Sequence, residues 1–343
     1  MGGGGDQGRR RTVYFRRKKT RPVRAGVVGV GQMGRYHVGV LAEIPQVELV
    51  GIVDIDPERI QPLAETYNTT GLTDYRDLLG EVDVVSVAVP TTLHAEVARE
   101  FLDAGVHVLI EKPIAPTLAE AEELFELAEQ RRVMLHVGHV ERFNGAVQEL
   151  KNIVRDPILI ECRRLGPFQS RVKDDGVVLD LMIHDLDIVL NLVGSRAHRI
   201  SAVGAAVASD VEDVANVQLW FANGCLATIT ASRATQEKIR TLAVTQREEY
   251  VLLNYTDQDI RIYRQGSSEH RLGRGELRYK QEALIERIFV HKDNPLKLEI
   301  RHLLDCATHQ AERLVSAEDE LYSLQVTLEI IEMIRKDLAH PGR

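Results

Sequence analysis

From Val23 to about His139 the chain alternates short β-branched runs with stretches patterned for helices. No other feature restricts the fold as tightly. The runs read VRAGVVGV, VELVGIVD, VDVVSVAV, VHVLIEK and VMLHVGH, with helix patterns beginning near Gln32, Pro57, Leu93 and Leu118. Strands that are apolar on both faces must be covered on both faces. The rhythm therefore predicts βαβ units around a doubly wound parallel sheet.

After about Asn144 the rhythm changes. A helix over Ala146–Val154 leads into the strand ILIECRRL, a polar loop and an oily helix. Long alternating segments follow: HRISAVGAAV, VANVQLWFA, CLATITASR, IRTLAVTQ and DIRIYRQ. Asn223-Gly224 between two of them is a hairpin signal, so this half reads as an open, mostly antiparallel sheet with one broad face. Helices over Lys297–Arg313 and Ser316–Leu338 close the chain. At 343 residues a single core is too small, and two α/β domains are expected, 22–143 and 144–343, with the last helices free to pack back on the first.

Residues 1–24 hold nine Arg or Lys against one Asp, a balance of +8, whereas the whole chain carries −8. The remaining body is thus strongly acidic, which argues against nucleic acid as a partner. The Gly- and Arg-rich head, residues 1–21, lacks the apolar stretch of a signal peptide and reads as a disordered basic extension or a mis-assigned start. No run of 18 apolar residues predicts a membrane span. Cys162, Cys225 and Cys306 are scattered without metal-ligand spacing, so no metal is expected, and reduced thiols suit a cytoplasmic location.

Gly29-Val-Gly31-Gln32-Met33-Gly34 follows the first strand and opens a helix. Its glycines suit a tight turn, a close approach of pyrophosphate and tight helix–strand packing, while the helix N-terminus favours phosphate. Asp54, at the end of the second strand, is placed to accept from the adenosine ribose hydroxyls and to repel a 2′-phosphate, so NAD is expected over NADP. Thr91 and His94 sit past the carboxyl end of the strand VVSVAV. They either border the cofactor, or a threonine there simply caps the next helix. Glu111-Lys112-Pro113 ends the strand VHVLI, where a lysine pinned beside a proline at a low-dielectric site suits acid–base work.

One stripe of polar groups crosses the oily helix. Of the 17 residues from Val177 to Val193, 12 are apolar, yet Asp180, His184, Asp187 and Asn191 recur at spacings of four, three and four. At about 100° per residue these fall on one face. Such a face is either solvated or it meets a ligand. The dinucleotide fingerprint and Lys112 favour a ligand.

GVVGVGQMGRYH, VPTTLHAEVA, EKPIA and the Asp180-xxx-His184 helix, in this order, resemble the Gfo/Idh/MocA oxidoreductase family across nearly all of residues 22–340. The resemblance implies an N-terminal Rossmann domain, a second domain whose open sheet often forms the interface of a homodimer or homotetramer, and catalytic roles for Lys112, Asp180 and His184. Leu181-Met182-Ile183 stands where many relatives carry a small residue, which implies a different cleft floor.

A narrower likeness rests on His139-Val-Glu-Arg142-Phe-Asn144, Arg163-Arg164-Leu-Gly-Pro167 and DLMIHDLD. It is to the branch that oxidises the 3-hydroxyl of UDP-N-acetylglucosamine for a later aminotransferase, typically toward lipid A precursors. A sugar diphosphate needs cations, and Arg142, Arg163, Arg164 and Arg171, with Asn144, are the candidates. The alternatives are a dehydrogenase of inositol or a free sugar, and a non-catalytic NAD(H)-sensing regulator.

Overall fold

The computed structural model describes residues 21–168, 175–272 and 276–339. Six parallel strands form the first sheet: β1 (Val23–Val28), β2 (Val47–Val53), β3 (Thr70–Leu72), β4 (Val84–Val87), β5 (His107–Glu111) and β6 (Leu135–Gly138). Their order is β3-β2-β1-β4-β5-β6, so the winding reverses between β1 and β4. In such sheets ligands bind at that reversal, outside the carboxyl ends of the strands. Helices α1 (Gln32–Glu43), α2 (Pro57–Tyr67), α3 (His94–Asp103) and α4 (Leu118–Arg131) connect them. Their starts follow local chemistry: Asp56 caps α2 by accepting from Glu58 N–H, with Pro57 in the first turn, and Thr117 caps α4.

The second sheet has eight strands: β7 (Leu159–Leu165), β8 (Ala197–Ala205), β9 (Val214–Phe221), β10 (Leu226–Ser232), β11 (Ile239–Thr245), β12 (Glu249–Asn254), β13 (Asp259–Leu272) and β14 (Glu276–Ile288). They lie in the order β14-β13-β12-β11-β7-β10-β9-β8, and only β7 and β10 run parallel. Buried and half-exposed residues alternate along β9 and β10, as a sheet with one core face requires. The core face packs on α5 (Gly145–Ile153), α6 (Ile183–Val193) and α8 (Ala317–Ala339) through Leu150, Leu186, Val189 and Ile330.

The three-residue β3, β12 and β14 were not expected from the sequence. The closing helices are α7 (Pro295–Ala307), which ends six residues short of Arg313, and α8. Both return to the first sheet: Ile300, Leu303 and Leu304 of α7 join the core beneath β1 and α1, and Leu324 of α8 joins that of α3 and α4. Asp180 and His184 do not share one regular helix. Val178–Met182 forms a wider π turn, in which Ile183 N–H reaches back to Val178 O, and the α-helix begins only at Ile183. The turn is anchored at its start by Glu212, whose carbonyl accepts from Val177 N–H at 2.8 Å. The Glu212 carboxylate fills the space over Gly176, where a Cβ would lie 1.8 Å from its Oε1.

Candidate active site

An open cleft of about 520 Å³ lies between the two sheets. Gln32 and Met33 from the start of α1, Glu111 and Lys112 from the end of β5, and Asp180 and His184 from the π turn and α6 all line it. Six residues read from the sequence are thus brought together from three separate stretches of chain.

The glycine-rich turn has a geometry that a phosphate would fit. Gly29 has a φ of +87°, and a Cβ on Gly34 would fall 1.8 Å from Gly29 O, so both are required by the protein itself. Gly31 differs: a Cβ there would meet nothing within 4 Å, and it caps α1 with no side-chain hydrogen bond. Its bareness leaves backbone N–H groups of the helix N-terminus open to a ligand, which fits the pyrophosphate of a dinucleotide. Asp54 accepts from Val30 N–H at 2.9 Å and from Asp56 N–H at 3.1 Å, holding the turn to the end of β2. Beside it Ile55 is exposed and apolar.

His94 does not reach the cleft. Its two ring nitrogens lie 2.8 Å from Pro113 O and 2.9 Å from Val89 O, tying the ends of β4 and β5 together. Thr91 lies half-buried at the start of a short 3-10 turn whose cap, Pro90, offers no side-chain hydrogen bond. Glu111 contacts His37 Nε2 at 2.8 Å, and His37 Nδ1 contacts Ser86 Oγ at 2.7 Å. Burial pushes the Glu111 carboxyl up, but His37 and Lys112 outweigh it and leave it below its ordinary range. A Cβ on Gly138 would lie 3.2 Å from both the Cα and the carboxylate of Glu111, so a larger residue there would crowd it.

Lys112 precedes a cis proline and points at the π turn. Its ammonium donates to Leu179 O at 3.1 Å and Asp180 O at 2.7 Å, with Asp180 Oδ1 at 4.0 Å. Two of three N–H groups are thereby fixed, and one remains for the cleft. Burial lowers the lysine pKa, and Asp180 and Glu111 partly restore it. His184 Nδ1 has no hydrogen-bond partner among the described residues. Burial, aided by the charges of Lys112 and Arg164, holds the imidazole well below its usual pKa, so it is neutral and able to accept a proton.

Of the expected substrate cations, Arg142 is taken elsewhere. Its guanidinium binds Asp187 (2.7 and 2.5 Å) and Glu320 within a buried network, and Asn191 donates to Asp187 from one turn on. The geometry corrects the sequence reading: a buried guanidinium between two carboxylates is a brace among the 3-10 turn at residues 140–143, α6 and α8, with nothing left for substrate. Asn144 is likewise committed, capping α5 through Ala146 N–H and donating to Tyr255 O. Arg164 lines the cleft, yet it is pinned bidentate to Asp185 at 2.9 Å, to Glu141 at 3.0 Å, and over the Tyr255 ring. Arg163 is exposed, and Arg171 lies outside the described residues. The cleft wall instead includes Glu141, Arg233, Gln236, Lys238 and Arg240, none of which the sequence had marked. They converge because β11 and β10 flank β7, a strand order that no local pattern encodes.

A Rossmann sheet with its glycine turn, facing a lysine–histidine cleft on an open sheet, defines an NAD-binding oxidoreductase. Residues 23–139 match the NAD-binding Rossmann domain of the oxidoreductase family and residues 144–250 the GFO/IDH/MocA C-terminal domain. The chain belongs to the Gfo/Idh/MocA family. It is 37% identical over 246 residues to UDP-N-acetylglucosamine 3-dehydrogenase from Acidithiobacillus ferrooxidans, covering 71% of this chain and 78% of that one. The solved structure of the enzyme of that name from the same organism superposes with a TM-score of 0.82 at 31% identity, over 93% of this chain and all of the other. Myo-inositol 2-dehydrogenase from Thermotoga maritima is 28% identical over 230 residues, 62% of this chain and 69% of its own. Among the described residues, no helix is long and apolar enough to cross a membrane.

Proposed function

We infer that the protein oxidises a secondary hydroxyl of a nucleotide sugar to a ketone with NAD, the 3-hydroxyl of UDP-N-acetylglucosamine being the substrate of choice. The reading rests chiefly on one observation: Lys112, Asp180 and His184 meet at a cleft whose lining also carries Lys238 and Arg240. A free polyol needs no such cations, whereas a diphosphate does. The likeness to UDP-N-acetylglucosamine 3-dehydrogenase supports the same substrate.

In this reading the turn at Gly29–Gly34 and Asp54 hold NAD, which supplies the hydride acceptor. The neutral His184 imidazole removes the hydroxyl proton. The remaining N–H of Lys112 stabilises the negative charge that develops on the sugar oxygen. Asp180 holds the ammonium's field at the cleft through its backbone carbonyl and leaves its carboxylate to orient substrate or imidazole.

A 3-keto sugar nucleotide is a substrate for transamination, so an aminotransferase would follow, toward lipid A or surface-polysaccharide precursors in the cytoplasm. The open sheet is the surface on which a homodimer or homotetramer would form. The test is NADH formation with UDP-N-acetylglucosamine, myo-inositol and glucose in parallel. Turnover with the sugar nucleotide at least about tenfold more efficient, roughly 1.4 kcal/mol of transition-state binding, supports the reading. Turnover with the free polyols alone refutes it, and none with any substrate favours a regulator.

A further inference from the structure

A second cluster of metal-type donors lies about the edge strand of the first sheet. His302 and Cys306 stand one turn apart on α7, and His136 projects from β6 against them. One donor atom from each lies within 4.8 Å of the other two. Cys306 Sγ is 3.6 Å from His302 Nε2, close to the roughly 3.5 Å edge between sulfur and nitrogen in a tetrahedral zinc site with bonds of about 2.3 and 2.0 Å. The His136 and His302 rings stack at 5.3 Å, both beside a cavity of about 20 Å³, room for one small occupant.

Glu299 lines the same cavity one turn before His302 on α7. It is 1% exposed, and neither carboxylate oxygen has a hydrogen-bond partner among the described residues. An orphaned buried carboxylate costs several kcal/mol, roughly, unless a proton or a cation meets it. A second group, His139, Asp187 and Glu320, already holds the Arg142 guanidinium between its carboxylates, so the chain itself supplies that cation. Of the two guanidinium groups that line the α7 cavity, Arg313 is spent on Leu135 O and the Phe125 ring, and Arg142 on Asp187 and Glu320. Linear cysteine spacing hides this site, because its ligands come from β6 and α7, more than 160 residues apart.

The geometry points to a structural site for one borderline-soft divalent cation, Zn²⁺ foremost, held by His136, His302 and Cys306. Water takes the fourth position, and the Glu299 carboxylate lines the same cavity. Such an ion staples α7 onto β6, the edge of the nucleotide-binding sheet, and covers the unpaired side of that strand.

The test uses the full chain, stripped with EDTA and titrated with Co²⁺ and then with Zn²⁺ in competition with a chromophoric chelator. The expected result is one equivalent per chain, a near-ultraviolet thiolate-to-cobalt band, and a melting temperature that rises with Zn²⁺. Cys306→Ser abolishes the band, and His302→Ala weakens Zn²⁺ binding by about tenfold or more. If Cys306→Ser does not fold, His302→Ala at its half-buried position decides alone. Absence of the band in the unmutated protein overturns the assignment. So does a band that persists in Cys306→Ser, or Zn²⁺ affinity and melting unchanged in His302→Ala.

Discussion

Lys112 grips Asp180 by its backbone: the ammonium is 2.7 Å from the Asp180 carbonyl and 4.0 Å from its carboxylate. The π turn makes this possible, since its wider spacing presents the successive carbonyls of Leu179 and Asp180 to one ammonium. Such turns cluster at functional sites because they re-aim backbone groups.

Replacing Lys112 should therefore damage chemistry more than cofactor binding. Lys112→Met is expected to lower kcat by about 10²–10³-fold, the usual loss for one donor to a developing oxyanion. NADH affinity, followed by fluorescence titration, should change far less. Lys112→Arg should not rescue turnover, because a planar guanidinium cannot replace three tetrahedral donors aimed at two carbonyls and a substrate.

The pH profile of kcat/KM should be displaced at both ends. In the proposed mechanism His184 acts as the neutral imidazole, so activity should fall as pH drops through its pKa, which burial holds well below 6.5. The acid limb should thus lie below the range of a free histidine. In the same mechanism Lys112 acts as the ammonium, and activity should fall as pH rises through its pKa, which burial holds below 10.5. His184→Gln should abolish the acid limb together with most turnover.

The two glycines that follow Gly29 should part company. Gly34→Ala places a Cβ 1.8 Å from a carbonyl oxygen and should lower melting temperature and NAD affinity together. Gly31→Ala meets no protein atom, so melting should hold while the NAD dissociation constant rises about tenfold or more, roughly 1.4 kcal/mol. Calorimetric melting and NADH titration on both variants separate the two effects.

Arg142→Met leaves Asp187 and Glu320 buried without their cation, a loss on the order of 3–5 kcal/mol. Chemical denaturation should show that loss. The KM for substrate in the folded fraction should stay within about threefold, under 1 kcal/mol, whereas a direct substrate contact would raise it selectively.

The first sheet, β3 apart, was legible because its strands, turns and helix starts are coded within a few residues: Gly29–Gly34, Asp54 and Asp56 sit where local chemistry puts them. Lys112, Asp180 and His184 were legible as polar groups out of place among apolar ones. Arg142 was misread because its partner Glu320 is 178 residues away, and a buried guanidinium looks like any other in sequence. The π turn stayed hidden, since its cause is Glu212 packed over Gly176, a contact between distant segments. Arg233 and Arg240 face the cleft through strand order, and β12 and β14 exist through pairing with β13, which no local pattern states.

The central claim is hydride removal from the sugar's third carbon at this cleft. It is tested most directly with UDP-N-acetylglucosamine carrying deuterium at C3, followed by mass analysis of the NADH formed. The label should appear in the nicotinamide ring, and Lys112→Met should slow its transfer by about 10²–10³-fold. Unlabelled NADH from this substrate, or label transfer undiminished in the variant, would contradict the account.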